Sequence, residues 1–134
     1  MTTAQNTGIK FYQNLGKLFY AIAASDKVIR KSEYESLHNI VKSDWLKVDD
    51  IVDEFGADAA FQIEIVFDWL DYEEELDAEE CFLQFQTYYE EHKSIFTTNI
   101  KILVWTTCNS IASAFSGKNK SELMMLGRLK LLFE

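Results

Sequence analysis

The side chains in this sequence that could do chemistry are mostly carboxylates, and their spacing decides whether they could hold a cation. Asp71 to Glu80 reads DYEEELDAEE, seven carboxylates in ten residues. A calcium loop of the EF-hand kind needs spaced oxygen ligands, a glycine at position six and a bidentate glutamate at position twelve. Counted from Asp71, those positions hold Leu76 and Phe82, so the pattern fails. The cluster reads as a helix-to-helix turn whose acids favour the positive N-terminal end of the next helix. Transition-metal and nucleophile chemistry find less material. His38, His92, Cys81 and Cys108 show no paired spacing of the zinc type. Cys81 and His92 share a helical face but stand eleven residues apart, roughly 16 Å along the axis. The thiols read as buried and unreactive. Among five glycines there is no phosphate-cradling loop, dinucleotide fingerprint or nucleophile elbow. No enzymatic activity is expected.

The chain that must position these groups has 134 residues, 48% of them hydrophobic and 14% aromatic, with two cysteines and no proline. That length suits one domain, residues 1–134, with a real apolar core and no disulfide framework. The opening MTTAQNTGIK lacks a secretory signal, and no apolar run approaches the ~18 residues needed for a bilayer span. A soluble, cytoplasmic protein is the expectation. The net charge of −9 is unevenly laid out. Asp44 to Glu91 carries seventeen acids against Lys47 alone, a net of −16, while the flanks hold five acids and twelve bases, a net of +7. The acidic total disfavours nucleic acid. The basic flanks, including Lys10, Lys17, Arg30, Lys120 and Lys130, offer a positive pole to an acidic protein or, peripherally, to anionic lipid headgroups.

Without proline and with few glycines, helices are favoured throughout. Phe11, Leu15, Leu18 and Ile22 step by four, three and four, predicting a first helix from about Gly8 to Ala24. Ser32 with Glu35 forms a capping box that opens a second helix carrying Leu37, Ile40 and Val41. A short third helix, Val48 to Phe55, stops at Gly56. Asp58 caps a fourth with Phe61, Ile65 and Trp69 on one face. Asp77 and Glu80 open a fifth with Phe82, Phe85 and Tyr89 inward; adjacent Tyr88 and Tyr89 cannot both point in, so one is a candidate exposed contact. Thr98 or Asn99 starts a sixth through Leu103, Thr107 and Ile111, and Asn119 with Glu122 a seventh through Leu123, Leu126 and Leu129. Gly16 and Gly127 fall inside helices, where close packing is the usual reason. The result is an all-α bundle of about seven helices. IAASDKVIRKSE (Ile22 to Glu33) and IASAFSGKNKSE (Ile111 to Glu122) match at five of twelve positions, so two similar helical hairpins are expected.

The segment LFYAIAASDKVIRKSEYESLHNIV resembles the signature of the TerB-like tellurite-resistance family, at Ala23, Ala24, Asp26, Ile29, Glu33 and Leu37. The C-terminal IASAFSGKNKSELMML looks like a second copy of that pattern, at Ala112, Gly117, Glu122 and Leu126. The resemblance implies an all-helical bacterial cytoplasmic domain with no established enzymatic activity, linked to stress-response assemblies near the membrane. A similar module occurs in a membrane-anchored DnaJ-type co-chaperone. It implies action through protein contacts, with an unidentified protein partner. A second reading is a divalent metal ion sensed by the turn acids Asp26, Glu33 and Glu122, as the resemblance implies, or by the carboxylates of Asp71 to Glu80. Two departures bear on that site: Lys27 stands where the family has a turn glycine, and Ser116 where it has a second aspartate. Losing a carboxylate and gaining an ammonium weakens a shared cation site.

Overall fold

The computed structural model describes residues 3–25, 29, 31–48, 58–73, 76–114 and 120–134. These residues form six α-helices, with no β-strand among them: α1 (Thr3–Ala23), α2 (Lys31–Ser43), α3 (Gln62–Glu73), α4 (Ala78–Glu91), α5 (Thr98–Ser113) and α6 (Lys120–Phe133). Short 3-10 turns occupy Trp45–Lys47, Ala59–Phe61 and Lys93–Ile95. The expected third helix, from Val48 to Phe55, falls almost wholly outside the described residues.

Helix α1 is central. Phe11, Leu15, Leu18 and Ile22 are buried as their spacing predicts. Tyr12, Phe19, Ala21 and Ala23 are buried as well, on other faces of the same helix, because α3, α4, α5 and α6 all pack against it. At roughly 1.5–3 kcal/mol per fully buried large apolar side chain, this one helix carries much of the hydrophobic drive. Its approach to α3 is tight. A Cβ added at Gly16 would lie 2.7 Å from the Ile63 carbonyl oxygen and 3.0 Å from Val66 Cβ. Glycine lets the two backbones close. Gln13 Nε2 donates to Gln62 Oε1 at 3.2 Å across the same seam.

The turn after α2 is pinned by Trp45, fully buried among Phe11, Tyr12 and Phe19. Its indole Nε1 donates to Thr107 Oγ1 at 3.0 Å, and that hydroxyl donates to the Leu103 carbonyl at 2.8 Å. Both buried polar groups are thereby satisfied, as burial requires. Helix α2 meets α3 through two tethers: the Tyr34 hydroxyl donates to Asp68 Oδ2 at 3.1 Å, and His38 Nδ1 to Glu64 Oε1 at 2.5 Å. A step of four on α2 matches a step of four backwards on α3, so the two helices run antiparallel.

Several local expectations change. Asp77 caps α4 as predicted, its side chain accepting from Glu80 N at 2.8 Å. Asp58 instead flanks a 3-10 turn and makes no side-chain cap bond. Helix α5 is capped by Thr97, one residue before the expected start, accepting from Ile100 N. Helix α2 begins at Lys31, which puts Ser32 inside its first turn. Tyr88 and Tyr89 are both buried. The chain from His92 to Phe96 folds back over α4: the Tyr88 ring stacks on His92 at 4.2 Å, while Tyr89 packs against Phe96 and Phe133. Neither tyrosine is an exposed contact.

Gly127 departs from Gly16. A Cβ there meets nothing within 4 Å among the described residues, so close packing against them does not explain it. Two alanine substitutions should therefore diverge in a urea or thermal unfolding experiment. Gly16→Ala forces a backbone shift and destabilises by about 1–2 kcal/mol net of its better helix propensity. Gly127→Ala stabilises by about 0.5–1 kcal/mol, a rise of a few degrees in Tm.

Candidate functional site

Helix α3 has two apolar stripes, and it can bury only one. Ile63, Phe67 and Leu70 face α1 and are buried. Ile65, Trp69 and Tyr72 occupy the opposite side, 53%, 50% and 85% exposed. At ~100° per residue these three fall within an arc of roughly 60°. Of Phe61, Ile65 and Trp69, which the spacing puts on one face, Ile65 and Trp69 do share a side, and it faces water. The sequence of α3, QIEIVFDWLDYE, contains four acids and no base. Asp68 and Asp71 flank the stripe on one edge and exposed Glu73 on the other. Singly exposed apolar residues are ordinary, whereas three on one stripe, two of them aromatic and rimmed by one sign of charge, have the make-up of a protein-contact face.

Pairing to α2 fixes the acidic edge. Glu64 is nearly buried beneath His38, and Asp68 holds the Tyr34 hydroxyl. Burial, then the hydrogen bond to Asp68, then the charges of Asp68, Glu64 and Asp71 push the Tyr34 phenol up to about 12. The stripe therefore stands on a helix clamped to both α1 and α2.

Beside it lies a cleft of about 670 Å³ where the end of α1, the α3–α4 connection and α6 meet. Its walls include Tyr20, Ile29, Met125 and the acids Asp71, Asp77 and Glu79. Two of those acids are already engaged. Asp77 caps α4, and Glu79 receives both terminal nitrogens of Arg128, at 2.5 and 2.8 Å. That hydrogen-bonded guanidinium holds the Glu79 carboxyl below its ordinary value. Arg128 also lies over the Phe82 ring, 4.4 Å from its centroid, which ties α6 to α4.

The residues read from sequence as metal ligands are only partly brought into view. Glu33 and Glu122 are both buried, each the third residue of its helix, α2 and α6. The two hairpins are alike in this respect. Asp26 lies outside the described residues, as do Lys27, Ser116 and Gly117. Among the described residues no three His, Cys, Asp or Glu side chains gather as a metal-holding group. Cys81 and Cys108 are buried thiols; burial lifts Cys81 to about 11 and Cys108 well above the ordinary range. His92 donates from Nδ1 to the Tyr88 carbonyl at 2.9 Å and stacks on the Tyr88 ring rather than meeting Cys81. No described helix is long and apolar enough to cross a membrane.

Comparison with protein-family models, with curated proteins and with solved structures returns no match to this chain.

The α3 stripe was hidden in the sequence because core filling accounts for most aromatics at helical spacing. The signal that reveals it is the coexistence of 63/67/70 and 65/69/72 on one helix, since a helix seated on a single layer buries one stripe. The Tyr34–Asp68 tether makes a direct test. In an alkaline spectrophotometric titration one tyrosine ionises near 12 rather than 10, and Asp68→Asn moves it down. The stability contributed by the neutral phenol is intact below pH 10 and lost as pH rises towards about 12, because the folded state holds that proton longer.

Proposed function

We propose that this chain is a non-catalytic helical module of the TerB-like kind that acts by holding another protein, in a stress response of the tellurite-resistance type, with the outward face of α3 as its grip. One observation carries the contact reading: Ile65, Trp69 and Tyr72 stand in water on a helix whose opposite stripe is locked into the core. Aromatic anchors surrounded by a polar rim are where binding energy concentrates. The all-acidic rim selects a partner helix with basic edges. The family part of the reading is supported by the two turn motifs and by Glu33 and Glu122, buried at equivalent positions.

A designed helical peptide with a leucine stripe and lysine rim tests the grip, with a glutamate-rimmed counterpart as control. The lysine-rimmed peptide binds, and Trp69→Ala weakens it by about 30-fold, the effect of a ~2 kcal/mol hot spot. Equal binding of both peptides, or of wild type and Trp69→Ala, contradicts the reading.

The buried pair of glutamates favours a second reading, a divalent cation held by Glu33, Glu122 and Asp26. Thermal unfolding with calcium, magnesium, zinc or chelator decides it. A native-state ligand raises Tm by mass action, and Glu122→Gln abolishes that rise. A Tm indifferent to every metal at millimolar concentration removes it.

A further inference from the structure

The chain itself carries a helix face with the chemistry that the α3 grip selects. On α6, Leu123, Met124 and Leu131 are 53%, 64% and 71% exposed, and Lys120 and Lys130 are exposed beside them. By the ~100° step these residues span an arc of roughly 120°, and Gly127 lies at its centre. Gly127 is solvent-exposed in a helix interior, with open space where its Cβ would be. Among the described residues nothing requires a glycine there, although glycine weakens a helix. The missing side chain leaves open space on the face that also carries the exposed Leu123, Met124 and Leu131.

We propose that α6 of one copy docks on α3 of a second copy, with the Trp69 ring seated over Gly127 and Lys120 and Lys130 set against Asp68, Asp71 and Glu73. The proposal rests on the reading of α3 as a contact face and names its occupant. Lengths agree: α3 has 12 residues and α6 has 14, roughly 18 and 21 Å. Charge agrees too, because the α3 rim is wholly acidic while the outward arc of α6 carries lysines. Pairing α3 with another α3 would set acids against acids, which disfavours the two-fold alternative. Because the two faces differ, the contact is head to tail. Each added copy leaves one α3 and one α6 unfilled, so assembly continues until a ring closes or a filament grows.

Two variants at exposed positions, Trp69→Glu and Gly127→Arg, separate the outcomes, with unfolding curves confirming that each remains folded. In sedimentation the wild-type mass rises with concentration, less steeply at high salt. Each variant alone keeps the mass of one chain. Mixed in equal amounts they form a 1:1 dimer that grows no further, since Trp69→Glu retains an intact α6 and Gly127→Arg an intact α3. The proposal is overturned by a wild-type mass that never exceeds one chain, by Gly127→Arg associating as wild type does, or by a mixture that stays monomeric. Wild type that binds anionic vesicles through Gly127 without associating in solution also overturns it, assigning the α6 face to lipid. A monomeric wild type that still takes the lysine-rimmed peptide at Trp69 overturns the self-docking and leaves the contact-face reading standing. Loss of both removes both.

Discussion

The approach of α1 to α3 at Gly16 is the constraint on which the rest of the structure depends. With the Ile63 carbonyl where the Gly16 side chain would be, α3 has one seating on α1. That seating commits Ile63, Phe67 and Leu70 to the core, and the pitch of the helix turns Ile65, Trp69 and Tyr72 outward. The two α2 tethers, Tyr34 to Asp68 and His38 to Glu64, fix the rotation from the other side. The exposed stripe is thus held rigidly in a single orientation. A pre-organised face of this kind avoids the ordering cost that a flexible segment incurs on binding.

The uneven charge acquires a physical meaning in the fold. The acids of the middle segment do three separate jobs. Asp77 stabilises the start of α4, Glu79 ties α4 to α6 through Arg128, and Asp68, Asp71 and Glu73 rim the α3 stripe. Among these, Asp71 and Glu73 are exposed on α3, while Asp68 also accepts from the Tyr34 hydroxyl. The basic flanks do not form a separate pole at Arg128, because its guanidinium is spent on Glu79 and on the face of Phe82. Their outward contribution on α6 comes from Lys120 and Lys130.

Much of the architecture was legible in the sequence because helical periodicity reports burial directly. The stripe of Phe11, Leu15, Leu18 and Ile22, the Asp77 cap and the inward Phe82 and Phe85 all follow from spacing and capping chemistry. The failures share a cause: periodicity shows which residues lie together, not which side is covered. Ile65 and Trp69 share a face, yet that face is wet. Leu123, in the apolar run of the last helix, is exposed, while Tyr88, predicted to compete with Tyr89 for the core, is buried because residues 92–96 wrap back over it. Gly127 reads as a packing glycine, yet a Cβ there would meet none of the described residues within 4 Å. Glu33 and Glu122 stand out through the resemblance of the two turn segments to the TerB-like signature, and both are buried. Tertiary coverage is a property of the whole chain, so no local window could supply it.

Fluorine NMR of the chain labelled with fluorotryptophan tests the central claim most directly, because its three tryptophans differ in surroundings: Trp45 is fully buried, Trp105 partly covered and Trp69 half exposed on the grip. As the chain concentration rises, the Trp69 resonance shifts and broadens while that of Trp45 stays fixed. A Trp69 resonance that remains sharp and unmoved over the whole range, or one that moves in step with Trp45, contradicts the account.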